Sequence, residues 1–98
     1  QSWIDLHASE LMIRHAGWLY DSGQPCGAEA NAAKYFAAEA AHTAATRAVT
    51  THGGMGYARE FHVERLLRET MIPKLAPVSA QMILCYIAET VLGLPKSY

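Results

Sequence analysis

Residues 48–57 read Ala48-Val49-Thr50-Thr51-His52-Gly53-Gly54-Met55-Gly56-Tyr57, and this junction decides the fold. It joins an alanine-rich run, residues 28–51, to a glycine turn. Alanine has the best helix propensity of all residues, so the run is expected to be helical almost regardless of context. Its small side chains also let a second helix approach closely. Glu39, Thr43, Thr46 and Thr50 fall on one line at three- and four-residue spacing, and that line ends at the glycines. Gly53 or Gly54 is the natural residue to leave the helix with positive φ. The junction thus predicts a long helix over residues 27–51 and a sharp stop after it.

Working outward, residues 2–20 carry His7, Glu10, Arg14, Gly17 and Asp21 in one narrow polar stripe. Trp3, Ile4, Leu6, Leu11, Met12, Ile13, Trp18 and Leu19 occupy most of the remaining circumference. A helix with so wide an apolar face needs neighbours on more than one side. Asp21-Ser22-Gly23-Gln24-Pro25 breaks it. Beyond the glycines, a short helix over residues 61–71 is expected, with Val63, Leu66, Leu67 and Thr70 inward. Glu64–Arg68 and Arg65–Glu69 pair across single turns, and Pro73 ends the helix. A last helix starts with Ser79 as N-cap and ends at Gly93, with Pro95 beyond. No segment alternates with period two. The fold class is all-α, an antiparallel helical bundle.

Composition narrows the function. The chain of 98 residues makes one domain, and 51% apolar against 17% charged residues suggests that some apolar surface meets something outside it. A net charge of −1 with no basic cluster speaks against nucleic acid and anionic membrane surfaces. The longest wholly apolar run, residues 82–88, is far shorter than a bilayer span, and the reading is of a soluble intracellular chain without membrane insertion. Cys26 and Cys85 have no metal or redox spacing and read as unpaired thiols. Gln1-Ser2-Trp3 enters a helical pattern at once, so the chain reads as a piece of something longer.

By itself Gly-Gly-x-Gly is a helix terminator, and without a preceding strand it is no dinucleotide fingerprint. Glycines do allow backbone amides to approach a phosphate or an adenine closely. Glu39-Ala40-Ala41-His42 has the spacing of a di-iron ligand pair, but such a site needs two copies and two further glutamates, so no metal is expected. His52, before the glycines, reads as a packing or hydrogen-bonding element.

The order of alanine-rich helix, glycine turn and charged short helix (Glu60, Val63-Glu64-Arg65, Arg68-Glu69), closing in Leu92-Gly93-Leu94-Pro95-Lys96-Ser97-Tyr98, resembles the C-terminal helical domain of the acyl-CoA dehydrogenases. The resemblance implies that residues 1–98 are a partial C-terminal bundle domain lacking the bundle's first helix. Trp3, Leu6, Trp18 and the alanine face would then lack cover. It further implies an FAD cofactor, an acyl-CoA substrate, an electron-transfer flavoprotein as partner and a homotetramer or homodimer. The location would be a bacterial cytoplasm or a mitochondrial matrix. The family's motif, a glutamine and two variable residues followed by Gly-Gly-x-Gly, implies cofactor contacts at Thr50 and Gly54; Gly54 matches and Thr50 replaces the glutamine. Ser79 and Gln81 match the family's polar pair beside the flavin. Ala76 and Pro77 fall on the substrate-facing loop, with Pro77 where one large branch carries its catalytic glutamate. Neither Pro77 nor Ala76 nor Val78 can take a proton, so no catalytic residue is expected in this chain and the base is expected before Gln1. The competing reading is a non-catalytic helical module for assembly or binding.

Overall fold

The computed structural model describes residues 1–97. Two long helices dominate: α1 (Ser2–Asp21) and α2 (Gly27–Thr51), joined by a short turn in which Gly23 has φ 71°. They are antiparallel, since Arg47 near the end of α2 reaches Asp5 (3.3 Å) and Ser2 (3.1 Å) at the start of α1. After α2 come two 3-10 turns, Gly53–Tyr57 and Arg59–Phe61. The helices α3 (Val63–Glu69), α4 (Ile72–Leu75) and α5 (Ala80–Tyr86) follow, and α5 runs into a π turn, Ile87–Val91. All described secondary structure is helical, as expected.

The pieces after the turn run back along α2. Thr70 lies beside His42, Lys74 beside Glu39, and the Tyr86 hydroxyl against Gly27. α2 is therefore the middle element, with α1 and the broken 63–91 segment both packed on it. The radius of gyration is 16.0 Å, against about 13 Å for a compact domain of this length. The arrangement is an open one rather than a closed bundle.

The core is built from small residues. Ala33, Ala38, Ala40 and Ala45 of α2 are buried, together with Ser9, Ala16 and Leu19 of α1. Two flanks of the alanine-rich helix are thus covered, because short side chains let both neighbours approach α2; between them Ala37, Ala41, Ala44 and Ala48 stay half-buried and Ala30 is exposed. Ser9 tolerates burial because its hydroxyl donates to Asp5 O at 2.8 Å. Among the described residues Ile83, 1% exposed, is the one bulky side chain that is fully enclosed.

What stays uncovered is the outer circumference of α1. Ile4, Leu11 and Trp18 recur at seven-residue spacing and are exposed, as are Leu6, Ile13 and Tyr20. The two ladders flank the polar stripe, where Arg14 binds Glu10 at 2.6 Å. Trp3, Leu6 and Trp18 are exposed, as the sequence suggested.

The third expected helix is corrected in detail. Residues 61–71 do not form one helix; α3 ends at Glu69 and a separate turn, α4, follows. Pro73 does not terminate α3. It sits in the first turn of α4, where a missing N–H costs nothing. Leu66, expected inward, is exposed. His62 enters α3 at φ 57°, an uncommon conformation for a residue other than glycine. Residues 63–91 are apolar enough on average to resemble a membrane span. Breaks at 70–71 and 76–79 leave no helix there near the ~20 residues a span needs.

Candidate functional site

The glycine turn forms the first candidate site. Gly53, not Gly54, takes the positive φ (60°) that ends α2. Gly54 is exposed, and a Cβ added there would meet nothing within 4 Å. Gly56 is the opposite case. It is buried, and a Cβ would stand 2.2 Å from Val49 O. The turn is thus laid directly on the backbone of α2, and only glycine allows that approach. His52 does what the sequence suggested: its Nδ1 lies 2.8 Å from Ala48 O, and its ring tilts against Phe61 at 6.5 Å.

Thr50 is exposed on the last turn of α2, but its hydroxyl proton is shared between Thr46 O (3.1 Å) and Arg47 O (3.0 Å). A hydroxyl has one proton to give, so Thr50 offers an outside ligand lone pairs only. Beneath the turn lies a cleft of ≈ 410 Å³ lined by Val49, Gly56, Tyr57, Arg59, Glu64, Leu67 and Arg68. Arg68 Nε binds Glu64 at 2.9 Å. That hydrogen bond, more than any other influence, holds the Glu64 carboxyl below the usual carboxylate range and raises the Arg68 guanidinium in turn. Arg59 also favours ionised Glu64 and has no ion-pair partner of its own among the described residues. Two guanidinium groups against one carboxylate leave the cleft net positive, which suits an anionic ligand group. Arg59 was not singled out by sequence reasoning, which weighed Arg65 and Arg68.

The second candidate site is the loop between α4 and α5. Ala76 is extended (φ −133°, ψ 156°), and Ala76, Pro77 and Val78 are exposed. Ser79 caps α5 as expected, its Oγ accepting from Met82 N at 3.4 Å. Capping uses a lone pair, so the Ser79 proton remains available to a ligand. Gln81, one residue into α5, is exposed. No side chain from Leu75 to Ser79 can accept a proton near neutral pH.

Three side chains of α2 hold this region. His42 Nδ1 is 3.2 Å from Thr70 Oγ1, and Lys74 Nζ donates to Glu39 at 3.0 Å. Lys34 Nζ donates to Pro73 O and, at 2.7 Å, to Val78 O. Glu39 and His42, the spacing weighed above as a metal pair, are each turned to a different partner. Sequence reasoning missed Lys34 and Lys74; partners 39 and 44 positions from Lys34 and 35 from Lys74 leave no local pattern. Cys26 and Cys85 are free and half-buried.

The two sites do not converge. From Lys34 to Thr50 along α2 is sixteen residues, about 24 Å at 1.5 Å each. For a flavin, Gly54 offers open approach, Ser79 the hydroxyl proton that capping leaves free, and Gln81 an exposed amide. Thr50 offers no donor. Gly54, Ser79 and Gln81 are thus open to an outside ligand, at two separate ends of the molecule.

Comparison with known proteins follows the same lines. Residues 1–91 match the family described as acyl-CoA dehydrogenase, C-terminal domain. The chain is 41% identical over 100 residues to acyl-CoA dehydrogenase FadE12 of Mycobacterium tuberculosis, covering 100% of this chain and 26% of that protein. It is 37% identical over 86 residues to an acyl-CoA dehydrogenase of Bacillus subtilis, covering 88% of this chain and 23% of that protein. Against (2S)-methylsuccinyl-CoA dehydrogenase of Cereibacter sphaeroides it is 33% identical over 84 residues, covering 82% of this chain and 15% of that protein. The chain spans about a quarter of the length of the first two relatives. With an alanine-rich helix ending in a glycine turn laid on its own backbone, and a capped helix after the loop, the chain belongs to the acyl-CoA dehydrogenase family, as its C-terminal domain.

Proposed function

We propose that this domain serves an FAD-dependent acyl-CoA dehydrogenase that oxidises an acyl-CoA thioester to its 2,3-enoyl form, passing electrons to an electron-transfer flavoprotein. The observation that carries the reading is the family match over residues 1–91. Gly54, exposed and with no atom within 4 Å of an added Cβ, adds support. FAD, when bound, supplies the acceptor for the hydrogen leaving the β-carbon as hydride. The chain's own residues bind and orient. Gly54 lets its backbone approach the cofactor, Ser79 Oγ–H and the Gln81 amide supply hydrogen bonds, and Ala76 and Pro77 line the thioester's side of the loop. The exposed loop is apolar and proton-inert, which suits a wall that excludes water rather than a base. Removal of the α-proton falls to a carboxylate outside residues 1–98. The two apolar ladders of α1 favour a homotetramer or homodimer, since each leaves large side chains to be covered.

The complete protein carrying this domain should purify yellow, and its flavin colour should bleach when an acyl-CoA is added. A colourless protein that binds no flavin, or a flavin that no acyl-CoA reduces, would remove this function. The same result would favour the second reading, a helical assembly module without chemistry, which Pro77 at the family's glutamate position motivates.

A further inference from the structure

Of the three ties from α2, the one made by Lys34 has a geometry the others lack. Its single ammonium donates to two main-chain carbonyls at once, Pro73 O and Val78 O. Those carbonyls bracket the loop that carries Ala76 and Pro77: Pro73 stands in the first turn of α4, Val78 just before the Ser79 cap of α5. Main-chain bonds flank the loop without spanning it: Ala76 N binds Ile72 O (2.8 Å), and Ile83 N binds Ser79 O (3.2 Å). Pro77, in the middle, has no N–H to give. An ammonium has three donors and no acceptor, so it matches a pair of converging carbonyls, and both bonds are strengthened by its charge. Lys34 is half-buried and sits on a helix of 25 residues, a rigid mount for a clasp. Glu39–Lys74, by contrast, grips only the α4 side of the loop.

We infer that Lys34 is the positioning residue of the 73–79 loop, holding its two ends at fixed separation and so setting where Ala76, Pro77 and the Ser79 hydroxyl stand toward an acyl thioester. What the loop faces rests on the proposed function; the clasp itself does not.

The test uses the complete protein and two readouts, amide hydrogen exchange in peptides covering residues 72–82 and steady-state kinetics with an acyl-CoA. Lys34→Met keeps the stem and removes every donor, Lys34→Arg keeps charge and donors, and Lys74→Met cuts the one-sided tie alone. In Lys34→Met, exchange of the hydrogen-bonded amides on either side of the loop, Ala76 and Met82, should rise roughly tenfold while peptides of α1 are unchanged, as expected for losing a charge-assisted hydrogen bond. KM for the thioester should rise on the order of tenfold, with bound flavin unchanged. Lys34→Arg should restore most of both, and Lys74→Met should move neither as far. Unchanged exchange at Ala76 and Met82 in Lys34→Met overturns the clasp. So does a loss of protection spread equally over α1 and α2, or an Arg variant no better than Met. If Lys34→Met does not accumulate, Lys34→Gln, with fewer and shorter donors, carries the same comparison. Faster exchange with unaltered kinetics would leave the clasp standing and overturn instead the loop's place in the proposed function.

Discussion

Replacing Gly56 by alanine isolates the contact on which the glycine turn depends. Gly56 does not have positive φ, so the demand for glycine there is one of space rather than backbone conformation. An added Cβ would lie 2.2 Å from Val49 O, 2.9 Å from Val49 C and 3.0 Å from Val49 Cα. All three atoms are backbone, held inside α2, and no rotamer change relieves them. The turn must therefore lift by about 1 Å, opening the cleft that Gly56 and Val49 line together. Overfilled sites cost typically 1–3 kcal/mol, and a clash with helix backbone belongs at the upper end, about 3 kcal/mol. For a domain of this size that corresponds to a fall in melting temperature of roughly 12–24 °C. The neighbouring glycines provide the scale. Gly54→Ala meets nothing and should stay within about 0.5 kcal/mol of the parent. Gly53→Ala, forced to φ 60°, should cost about 1 kcal/mol. Thermal unfolding followed by circular dichroism reads all three. If Gly54→Ala melts lower than Gly56→Ala, or Gly56→Ala melts within a few degrees of the parent, the turn is not seated on α2 as described.

Other substitutions probe the remaining parts. Ile83→Ala empties the one enclosed bulky site and should cost about 2–3 kcal/mol in urea unfolding, the lower part of the usual range, because an open fold can settle inward; a cost under about 1 kcal/mol would contradict its burial. The carboxyls of Glu10 and Glu64 are held low, each first by a hydrogen bond from its arginine partner, Arg14 and Arg68. Their support for the fold is thus present above the ordinary carboxylate value of about 4.3 and lost as pH falls below it, and an NMR titration midpoint at or above that value for either would refute the pairing. Thr50→Gln, which frees the position from its intrahelical bonds and extends its reach, should slow flavin release from the complete protein about tenfold, the equivalent of one hydrogen bond; release at the parent rate would exclude position 50 from the cofactor site.

The elements that local chemistry dictates were legible in the sequence. Alanine propensity marked α2, the Ser79 hydroxyl marked the start of α5, and four-residue spacing marked Arg65–Glu69 and Arg68–Glu64. What escaped was tertiary. Pro73 reads equally as the end of one helix and the first turn of another, and only packing on α2 decides between them. Hydrophobicity placed a wide apolar face on α1 but not which part is covered. The face toward α2 proves to be the small one, Ser9 and Ala16 with Leu19, while Trp3 and Trp18 face out. Among the glycines, sequence drew attention to Gly53 and Gly54. The steric demand at Gly56 arises from Val49 seven residues earlier, through a turn whose path no propensity specifies.

These observations give α2 a role beyond that of a core element. Its alanines admit neighbours on both sides at short distance, and of its long polar side chains Lys34, Glu39 and His42 reach the 70–78 stretch while Arg47 reaches α1. One end of the helix seats the glycine turn and the other clasps the loop, about 24 Å apart. If the proposed function holds, Gly54 and the Ser79–Gln81 pair are too far separated to share one compact pocket of this chain, so each group needs surface from elsewhere to complete its site. The exposed ladders of α1 call for the same thing on grounds of apolar area alone. The exposed apolar ladders and, under the proposed function, the separated polar groups therefore point the same way, to a domain completed by surface from elsewhere.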